Sequence, residues 1–508
     1  MLMGIPSYFS HITRRHAKVL NDLRSMIKKN KVDHLFLDAN SIIYDASKMN
    51  HTNQTIYNRV AEIIKEYIKI INPSGTILVA FDGVAPMAKM VQQRTRRCKG
   101  TIEKKYAYEQ MKWDTIAITP GTDFMNELPD QLRQRLPDNI HISGPDEPGE
   151  GEHKIFRYIR DHNMKNDLCV VYGLDADLIM LSMLNIPYCK QIYLARETQY
   201  FYNNDGNEKE GLCCMDISML TQHLCDDIRN DTYDISNETY ISDYIFICFL
   251  LGNDFLPHFP SINIRNNGID LVINAYKKTI SKHKCGITYD NCIRWKCVRT
   301  LIRELAHDEY GRLVEHYAGI DTIKRRMYKS NKMSDRLKNI PLTDRRDEEY
   351  IDPYTNGWEQ RYYSTLFNVY PDKKRVSEIT RNYIEGLEWT FQYYKVGCIH
   401  WTWCYHYNYP PLLNDLINEI PYFDVDVLKR EDTLPVHPLT QLSYVIPYKA
   451  FHLLPSDVNE LLHRKYDELC NDNYEIKWAF CRYFWESNIT SPEININDLE
   501  RDIIFLFK

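Results

Sequence analysis

The chain has 508 residues and a formal net charge of −6 at pH 7, with 44% apolar and 26% charged residues. This length exceeds what one hydrophobic core usually organises, so we expect at least two lobes. The longest strongly apolar run, residues 245–251, is far shorter than the roughly 20 residues that cross a bilayer, and the first residues lack the apolar segment of a signal peptide. The 14 cysteines are scattered, which favours reduced thiols over disulfides or a structural zinc module. We expect a globular protein with no membrane partner.

Three short apolar runs in the first 300 residues predict buried parallel strands. They are residues 34–38 (HLFLD), 76–82 (TILVAFD) and 168–175 (LCVVYGLD). Amphipathic stretches separate them, and residues 56–71 have the apolar spacing of a helix. This alternation predicts an α/β fold with a mainly parallel, doubly wound sheet.

Each predicted strand ends in an aspartate. These are Asp38, Asp82 and Asp175, and Asp177 follows two residues further on. Ligands of open parallel sheets bind beyond the carboxyl ends of the strands, so acids placed there converge on one location. A single aspartate after a strand is usually a turn residue or the N-cap of the next helix. Because all three strands share the feature, we favour a common site.

Three further acids extend this pattern. Glu150 and Glu152 lie among glycines in the string PGEGEHK, directly before an amphipathic stretch. Stabilisation by the helix dipole would explain acids at this place, but the glycines also indicate close backbone approach to another group. Asp254 follows an apolar helix that Gly252 ends, where the dipole disfavours an acid that has no cation nearby. A turn role is the alternative for Asp254.

Seven carboxylates that meet in one place cannot all stay ionised and unpaired, because neighbouring negative charges raise one another's pKa. Oxygen ligands without His or Cys favour Mg²⁺, with Mn²⁺ as a substitute, over Zn²⁺. Two such ions roughly 4 Å apart would stabilise both the attacking and the leaving oxygen of a phosphodiester cleavage. The predicted ligands of the two Mg²⁺ ions are Asp38, Asp82, Glu150, Glu152, Asp175, Asp177 and Asp254.

A basic helical face follows the second predicted strand. Residues 83–97 (GVAPMAKMVQQRTRR) predict a helix with Pro86 in its first turn. A basic face is usually solvated surface, but this one begins seven residues after Asp82 and so should lie beside the acids. We interpret it as a pocket for a 5′-phosphate, with Lys89 close enough to help neutralise the scissile phosphate. The residues spaced to share this face are Lys89, Gln93, Arg96 and Arg97.

The pattern changes after residue 310. Residues 311–354 are rich in charge and poor in apolar side chains, which predicts a linker or mobile loop. Residues 355–508 are rich in Tyr and Trp and include a proline-studded section at 407–447. We therefore divide the chain into a first domain at 1–310, the charged linker, and a second region at 355–508.

Several strings resemble the Xrn family of 5′→3′ exoribonucleases. The matching strings are MGIPSYF at 3–9, LDAN at 37–40, FDGVAPMAKMVQQRTRR at 81–97, PGEGEHK at 148–154, YGLDADLIML at 172–181 and FLLGNDFLPHFPSINI at 249–264. Weaker resemblance continues at 383–416 and 438–447. The resemblance implies a PIN/5′-nuclease-like nuclease domain and a mostly helical second region that closes the active site. We expect a short, core-only member, and a viral origin is a hypothesis.

The resemblance also implies roles for individual residues. The seven acids would hold the catalytic Mg²⁺ ions, and the basic face would bind a 5′-monophosphate. Tyr44, where the family usually has His, and either Trp401 or Trp403 would stack on the leading bases. The implied activity is processive degradation of 5′-monophosphorylated single-stranded RNA to nucleoside 5′-monophosphates in mRNA decay. We expect a cytoplasmic monomer, with the nucleus as the alternative location.

Two alternative functions stay open at this point. A flap or 5′-nuclease acting on DNA would share the acids and the sheet, but neither the second region nor the QQRTRR face is expected of it. A non-catalytic RNA-binding scaffold of the same fold is the other alternative, and the complete set of acids argues against it.

Overall fold

In the computed structural model, the residues described are 5, 7–49, 51–107, 113–197, 212–230, 232–324, 332–429, 431–490 and 492–507. Within them, seven strands form one sheet. The strands are β1 (Leu20–Asp22), β2 (His34–Asp38), β3 (Ile77–Ala80), β4 (Ile140–Ser143), β5 (Leu168–Tyr172), β6 (Gln191–Glu197) and β7 (Leu212–Asp216). Two small hairpins are formed by β8 (Thr288–Tyr289) with β9 (Cys292–Ile293), and by β10 (Ile476–Lys477) with β11 (Asn488–Ile489).

The large sheet has the strand order β1-β7-β6-β5-β2-β3-β4. The five strands β2 to β6 run parallel to one another, while β7 pairs antiparallel with β6, and β1 antiparallel with β7. The three predicted strands are β2, β3 and β5, which lie side by side in the middle of the sheet. The prediction of a mainly parallel sheet is therefore confirmed.

Alternate residues of the central strands enter two separate hydrophobic clusters, because successive side chains of a strand point to opposite faces. Phe36 and Val171 belong to the first cluster, whereas Leu37 and Val170 belong to the second. Burial on both faces explains why these strands are continuous apolar runs rather than alternating ones. The sheet is thus covered by helices on both sides, as predicted for a doubly wound fold.

Twelve helices lie between Tyr8 and Ala306 in the described part of the chain. The predicted helix at 56–71 lies within the fourth, whose N-cap Thr52 accepts a hydrogen bond from the Thr55 backbone NH. The predicted basic helix begins at Met87, directly after Pro86. The twelve are α1 (Tyr8–Arg15), α2 (Leu23–Lys29), α3 (Asn40–Met49), α4 (Asn53–Ile71), α5 (Met87–Ala107), α6 (Asp123–Arg133), α7 (Gly151–His162), α8 (Asp177–Asn185), α9 (Ile217–Ile228), α10 (Asn237–Cys248), α11 (Gly268–His283) and α12 (Trp295–Ala306).

The remainder of the chain is mostly helical, as expected. Its α-helices are α13 (Glu309–Lys324), α14 (Met333–Thr343), α15 (Arg346–Ile351), α16 (Trp358–Leu366), α17 (Lys373–Lys395), α18 (Leu413–Glu419), α19 (Pro438–Val445), α20 (Ser456–Lys465) and α21 (Ile496–Phe505). Short 3-10 helices occur at Ala17–Val19, Thr115–Ala117, Ile186–Tyr188, Phe249–Leu251, Ile264–Asn266, Tyr448–Leu453, Asp467–Leu469 and Phe484–Glu486.

The prediction of a loop at 311–354 is wrong where the structure describes that segment, since α13, α14 and α15 occupy most of it. The few apolar residues present, among them Leu313 and Ile351, are buried. Arg345 and Glu348 form a buried ion pair, so part of the charge is neutralised inside the fold. Residues 325–331 lie outside the described residues, and the proposed domain boundaries stay a prediction.

The two halves of the chain share one hydrophobic cluster. It includes Tyr8 and Phe246 from the first half together with Trp389 and Tyr444 from the second. The second region therefore packs directly against the α/β domain. All 14 cysteines are free thiols, as expected. Among the described helices, none combines the length and the apolar character that crossing a bilayer requires.

Candidate metal and phosphate site

The carboxyl edge of the sheet brings the predicted acids together. Asp38 is the last residue of β2, Asp82 and Asp175 follow the ends of β3 and β5, and Asp177 is the first residue of α8. Carboxylate oxygens of Asp38, Glu152 and Asp175 lie within 4.8 Å of one another. Burial and the negative charges of Asp82 and Asp175 raise the pKa of Asp38 well above its ordinary value. The convergence inferred from three strand ends is present in the structure.

The glycines around Glu150 allow the start of α7 to approach the strand ends. Gly149 has a φ of 107°, in the region that side-chain-bearing residues rarely adopt. A Cβ on Gly151 would lie 2.7 Å from Asp38 Oδ1 and 3.1 Å from the Ala80 carbonyl oxygen. The Gly151 backbone NH donates to Asp82 Oδ1 at 2.7 Å. Close backbone approach, rather than helix capping alone, explains these glycines.

Lys89 lies buried between two of the acids, with 1% of its surface exposed. Its Nζ is 2.6 Å from Glu150 Oε2 and 2.8 Å from Asp254 Oδ2. Burial alone would lower the pKa of Lys89, but the carboxylates of Asp254 and Glu150 outweigh it and hold that pKa well above its ordinary value. Asp254 lies beyond a helix C-terminus, where an acid needs a cation nearby, and Lys89 provides that cation. Lys89 also connects Asp254 to the other acids through Glu150.

The acids suit a bound cation. Burial, followed by the charge of Asp177, raises the pKa of Glu152, while burial and the charge of Asp254 raise that of Asp177, both well above the ordinary value. Glu152 Oε2 and Asp177 Oδ1 are buried, with no hydrogen-bond partner among the described residues. Buried carboxylate oxygens without donors are costly unless a cation binds them. The group of Asp38, Glu152 and Asp175 could hold a metal ion through oxygen atoms alone.

Three neighbouring residues that complete the site were not predicted. His153 joins Glu150 and Glu152 in a second group that could hold a metal ion. The Tyr393 hydroxyl donates to Glu150 Oε1 at 2.7 Å. The Asn40 side chain donates to Asp82 Oδ2 and accepts from the Asp82 backbone NH at 3.2 Å. His153 and Asn40 lie inside the strings PGEGEHK and LDAN, which was a usable signal, whereas nothing in the sequence singles out Tyr393.

The basic face of α5 adjoins the acids. Gln93 is buried, Arg96 and Arg97 are half-buried, and Gln93 Oε1 and Arg97 Nη1 have no hydrogen-bond partner within the described part of the chain. Burial lowers the pKa of Arg97 to about 10, so the guanidinium stays charged at neutral pH. An unpaired buried donor on a charged guanidinium suits an anionic ligand such as a phosphate.

Other basic residues of α5 have structural partners. The Arg94 guanidinium donates to the Tyr444 carbonyl oxygen at 2.6 Å. Lys99 Nζ donates to the carbonyl oxygens of Trp485 at 2.8 Å and Ser487 at 2.5 Å. One side of α5 therefore forms hydrogen bonds with the second region, and another side faces the acids.

The sequence left open which of Trp401 and Trp403 stacks on a base, and the structure gives the two side chains different surroundings. Trp403 is 7% exposed and stacks on Trp389, with ring centroids 5.2 Å apart, so it belongs to the core. Trp401 is half-buried, and its carbonyl oxygen accepts from the Met87 backbone NH at 2.8 Å, beside the start of α5. Tyr44 on α3 is 37% exposed. Of the three predicted stacking residues, Trp401 and Tyr44 thus have accessible surface, and their roles stay predictions.

Comparison with known proteins identifies the family. The model described as the XRN 5′-3′ exonuclease N-terminus matches residues 3–198, and the Xrn1 helical domain matches residues 232–340 and 320–503. The 5′-3′ exoribonuclease 2 of Debaryomyces hansenii is 25% identical, with 98% of this chain and 69% of that protein covered. The 5′-3′ exoribonuclease 1 of Homo sapiens is 26% identical, with 91% of this chain and 31% of that protein covered.

Among solved structures, the catalytic core of Rad2 in complex with DNA substrate is similar at a TM-score of 0.32 and 13% identity, covering 82% of this chain and 98% of that chain. Similarity at this level does not indicate a function. The two family models, by contrast, span most of the sequence and include the acids, the basic helix and the helical region. The chain belongs to the Xrn family of 5′→3′ exoribonucleases.

Proposed function

We propose that this protein degrades single-stranded RNA bearing a 5′-monophosphate, processively and from the 5′ end, as a step of mRNA decay. Its products would be nucleoside 5′-monophosphates, and its cofactor two Mg²⁺ ions, for which Mn²⁺ would substitute. The proposal rests on one observation: the acids and the basic face of α5 lie side by side. Lys89 of that face connects the two, because its Nζ is 2.6 Å from Glu150 Oε2 and 2.8 Å from Asp254 Oδ2.

The Lewis acidity for in-line attack by water, and for departure of the 3′-oxygen, would come from Mg²⁺ held by the seven acids, which are Asp38, Asp82, Glu150, Glu152, Asp175, Asp177 and Asp254. Asn40 and Tyr393 orient Asp82 and Glu150 through their hydrogen bonds. Lys89 contributes a positive charge beside the scissile phosphate.

The 5′ end of the strand is held by different groups. Gln93, Arg96 and Arg97 bind the terminal phosphate, whose several unshared oxygens match an amide donor and two guanidinium groups. Tyr44 and Trp401 stack on the leading bases, which gives sequence-tolerant binding of about 1–3 kcal/mol per base. A pocket sized for one phosphate would exclude a cap or a triphosphate.

The alternatives are less well supported. A flap nuclease acting on DNA is not favoured, because the second half of this chain matches the Xrn1 helical domain, and a flap nuclease is not expected to have that domain. A non-catalytic scaffold is not favoured either, because all seven acids are present and buried carboxylate oxygens lack donors among the described residues. The monomeric state and the cytoplasmic location stay predictions from the sequence.

The proposal is tested with one RNA prepared with a 5′-monophosphate, a 5′-triphosphate or a 5′-hydroxyl group, each incubated with Mg²⁺ or with a chelator. We expect mononucleotides only from the monophosphate form with Mg²⁺. Asp177→Asn should abolish cleavage but keep RNA binding, whereas Asp161→Asn, an exposed acid on α7, should behave as wild type. Digestion that ignores the 5′ group or persists in chelator would refute the proposal.

A further inference from the structure

A second cavity, of about 230 Å³, adjoins the candidate site on another flank of α5. We call it the side chamber. Its walls come from α5, from the loop at 253–257, and from two second-region segments, 404–408 and 485–488. Arg96 and Asp254 line it as well, so it shares a wall with the candidate site. This volume is far above the roughly 10–15 Å³ that one water molecule needs, so the cavity is not a simple packing defect.

The side chamber is distinct from the proposed phosphate pocket. Thr95, which lines the chamber, comes six residues after Lys89 and therefore lies roughly 240° further round the helix axis. Gln93 and Arg97 are on the Lys89 side and are not part of the chamber wall. Arg96 lies between the two faces, where it can contact a phosphate on either side.

The wall chemistry matches a nucleotide. Phe255, Tyr407 and Trp485 offer ring surfaces on which a base can stack. The amides of Gln92 and Asn408 each present donors and an acceptor, so a base edge of any identity finds a partner. The guanidinium of Arg96 supplies a cation for the phosphate.

A neighbouring cavity adjoins the side chamber. A further cavity of about 160 Å³ shares Asn253, Trp485 and Glu486 with it and reaches Arg265. Arg265 is paired with Glu486 and lies 5.5 Å from the Trp485 ring centroid. This neighbouring cavity therefore adds a second cation, Arg265, beside the side chamber, and the two cavities have the Trp485 ring in common.

We propose that the side chamber receives the nucleoside 5′-monophosphate released in each cycle, and so provides an exit that the incoming strand does not block. This inference rests on the proposed function. A strand held between Tyr44 and Trp401 fills the entrance, so the freed nucleotide cannot leave past it unless the strand dissociates. Departure past Arg96 lets the strand advance while it stays bound, which is what processive degradation requires.

The test fills the chamber without touching the proposed catalytic groups. Thr95→Trp places an indole at the α5 wall, and Lys105→Trp, at an exposed position of the same helix outside the chamber wall, is the matched control. The first readout compares single-turnover release of the first nucleotide with the steady-state rate of mononucleotide formation on a long RNA. We expect Thr95→Trp to keep the first rate and to slow the second by about tenfold or more, because product release becomes limiting.

The second readout is binding of AMP to protein whose site is filled by a 5′-monophosphorylated RNA with non-hydrolysable linkages. Wild type and Lys105→Trp should bind one AMP per chain, and Thr95→Trp none. Gln92→Met, which keeps the shape of the wall but removes its amide, should weaken AMP binding by about tenfold. This milder variant keeps the test decisive if the indole prevents folding.

Two results would overturn the chamber assignment: no AMP binding to RNA-filled wild type, or wild-type steady-state rates in both Thr95→Trp and Gln92→Met. A wild-type protein that fails to release even the first nucleotide would instead overturn the proposed function, and the chamber assignment with it. The single-turnover measurement distinguishes these two failures.

Discussion

The hydrogen bond between Tyr393 and Glu150 allows a quantitative prediction. Tyr393→Phe removes the hydroxyl that donates to Glu150 Oε1 at 2.7 Å and leaves the ring packed between His153 and Trp389, at centroid distances of 3.9 and 4.8 Å. A hydrogen bond to a charged group contributes about 1.5–3 kcal/mol, and partners of metal ligands typically change affinity by about 10–100-fold. We therefore expect Tyr393→Phe to lower the affinity for Mn²⁺ by about 10–100-fold.

Mn²⁺ binding is followed by electron paramagnetic resonance, which measures affinity without a turnover assay. Tyr383→Phe is the control, because Tyr383 is buried on the same helix and its hydroxyl donates to the Pro257 carbonyl oxygen at 3.0 Å instead of to an acid of the site. Both variants should lose similar stability, but only Tyr393→Phe should lose metal affinity. Equal Mn²⁺ affinity in Tyr393→Phe and wild type, or an equal loss in both variants, would refute the reasoning.

Four further substitutions give distinct expectations. Arg97→Met should weaken binding of 5′-monophosphorylated RNA by about 1.5–3 kcal/mol and leave 5′-hydroxyl RNA unaffected, as measured by competition binding. Trp401→Ala should weaken RNA binding by about 1–3 kcal/mol with little loss of stability, whereas Trp403→Ala should lower the free energy of unfolding by about 3–5 kcal/mol; the reverse pattern would exchange their roles. Burial raises the pKa of Glu309 from its ordinary 4.5 to about 7, and the Leu413 backbone NH donates to both its oxygens at 3.0 Å. Because folding raises this pKa, ionisation of the carboxyl lowers the stability of the protein as the pH rises from about 4.5 to about 7. Glu309→Gln should therefore stabilise the protein at pH 8, by at most about 3 kcal/mol, and hardly at pH 4.5. Denaturant unfolding at the two pH values would show this difference.

The sheet and most of the site could be predicted because their signals are local. Strands buried on both faces are continuous apolar runs, and the acid that ends each run marks the sheet edge where ligands bind. The glycines around Glu150 were informative for a similar reason, since a Cβ on Gly151 would approach Asp38 Oδ1 to 2.7 Å. Helical spacing likewise placed Gln93 and Arg97 on one face.

What the sequence missed depends on contacts between distant segments. The spacing of residues along α5 predicted which helical face carries Lys89. It could not predict that the Lys89 side chain lies between Glu150 and Asp254. No local feature distinguishes Tyr393 from the other tyrosines of α17. The charged segment at 311–354 was predicted to be too poor in apolar residues to fold alone, but Leu313 and Ile351 are buried against other parts of the chain. Tertiary packing supplied what local composition lacked.

The proposed activity depends on divalent cations bound by the acids at the sheet edge, beside α5. Anomalous diffraction from crystals soaked in Mn²⁺ would locate these cations. We expect two strong anomalous peaks a few ångströms apart, about 4 Å in two-metal sites, with one of them in contact with Asp38, Glu152 and Asp175. Saturated crystals with no peak at these carboxylates, or with Mn²⁺ bound only to exposed acids elsewhere, would contradict this expectation.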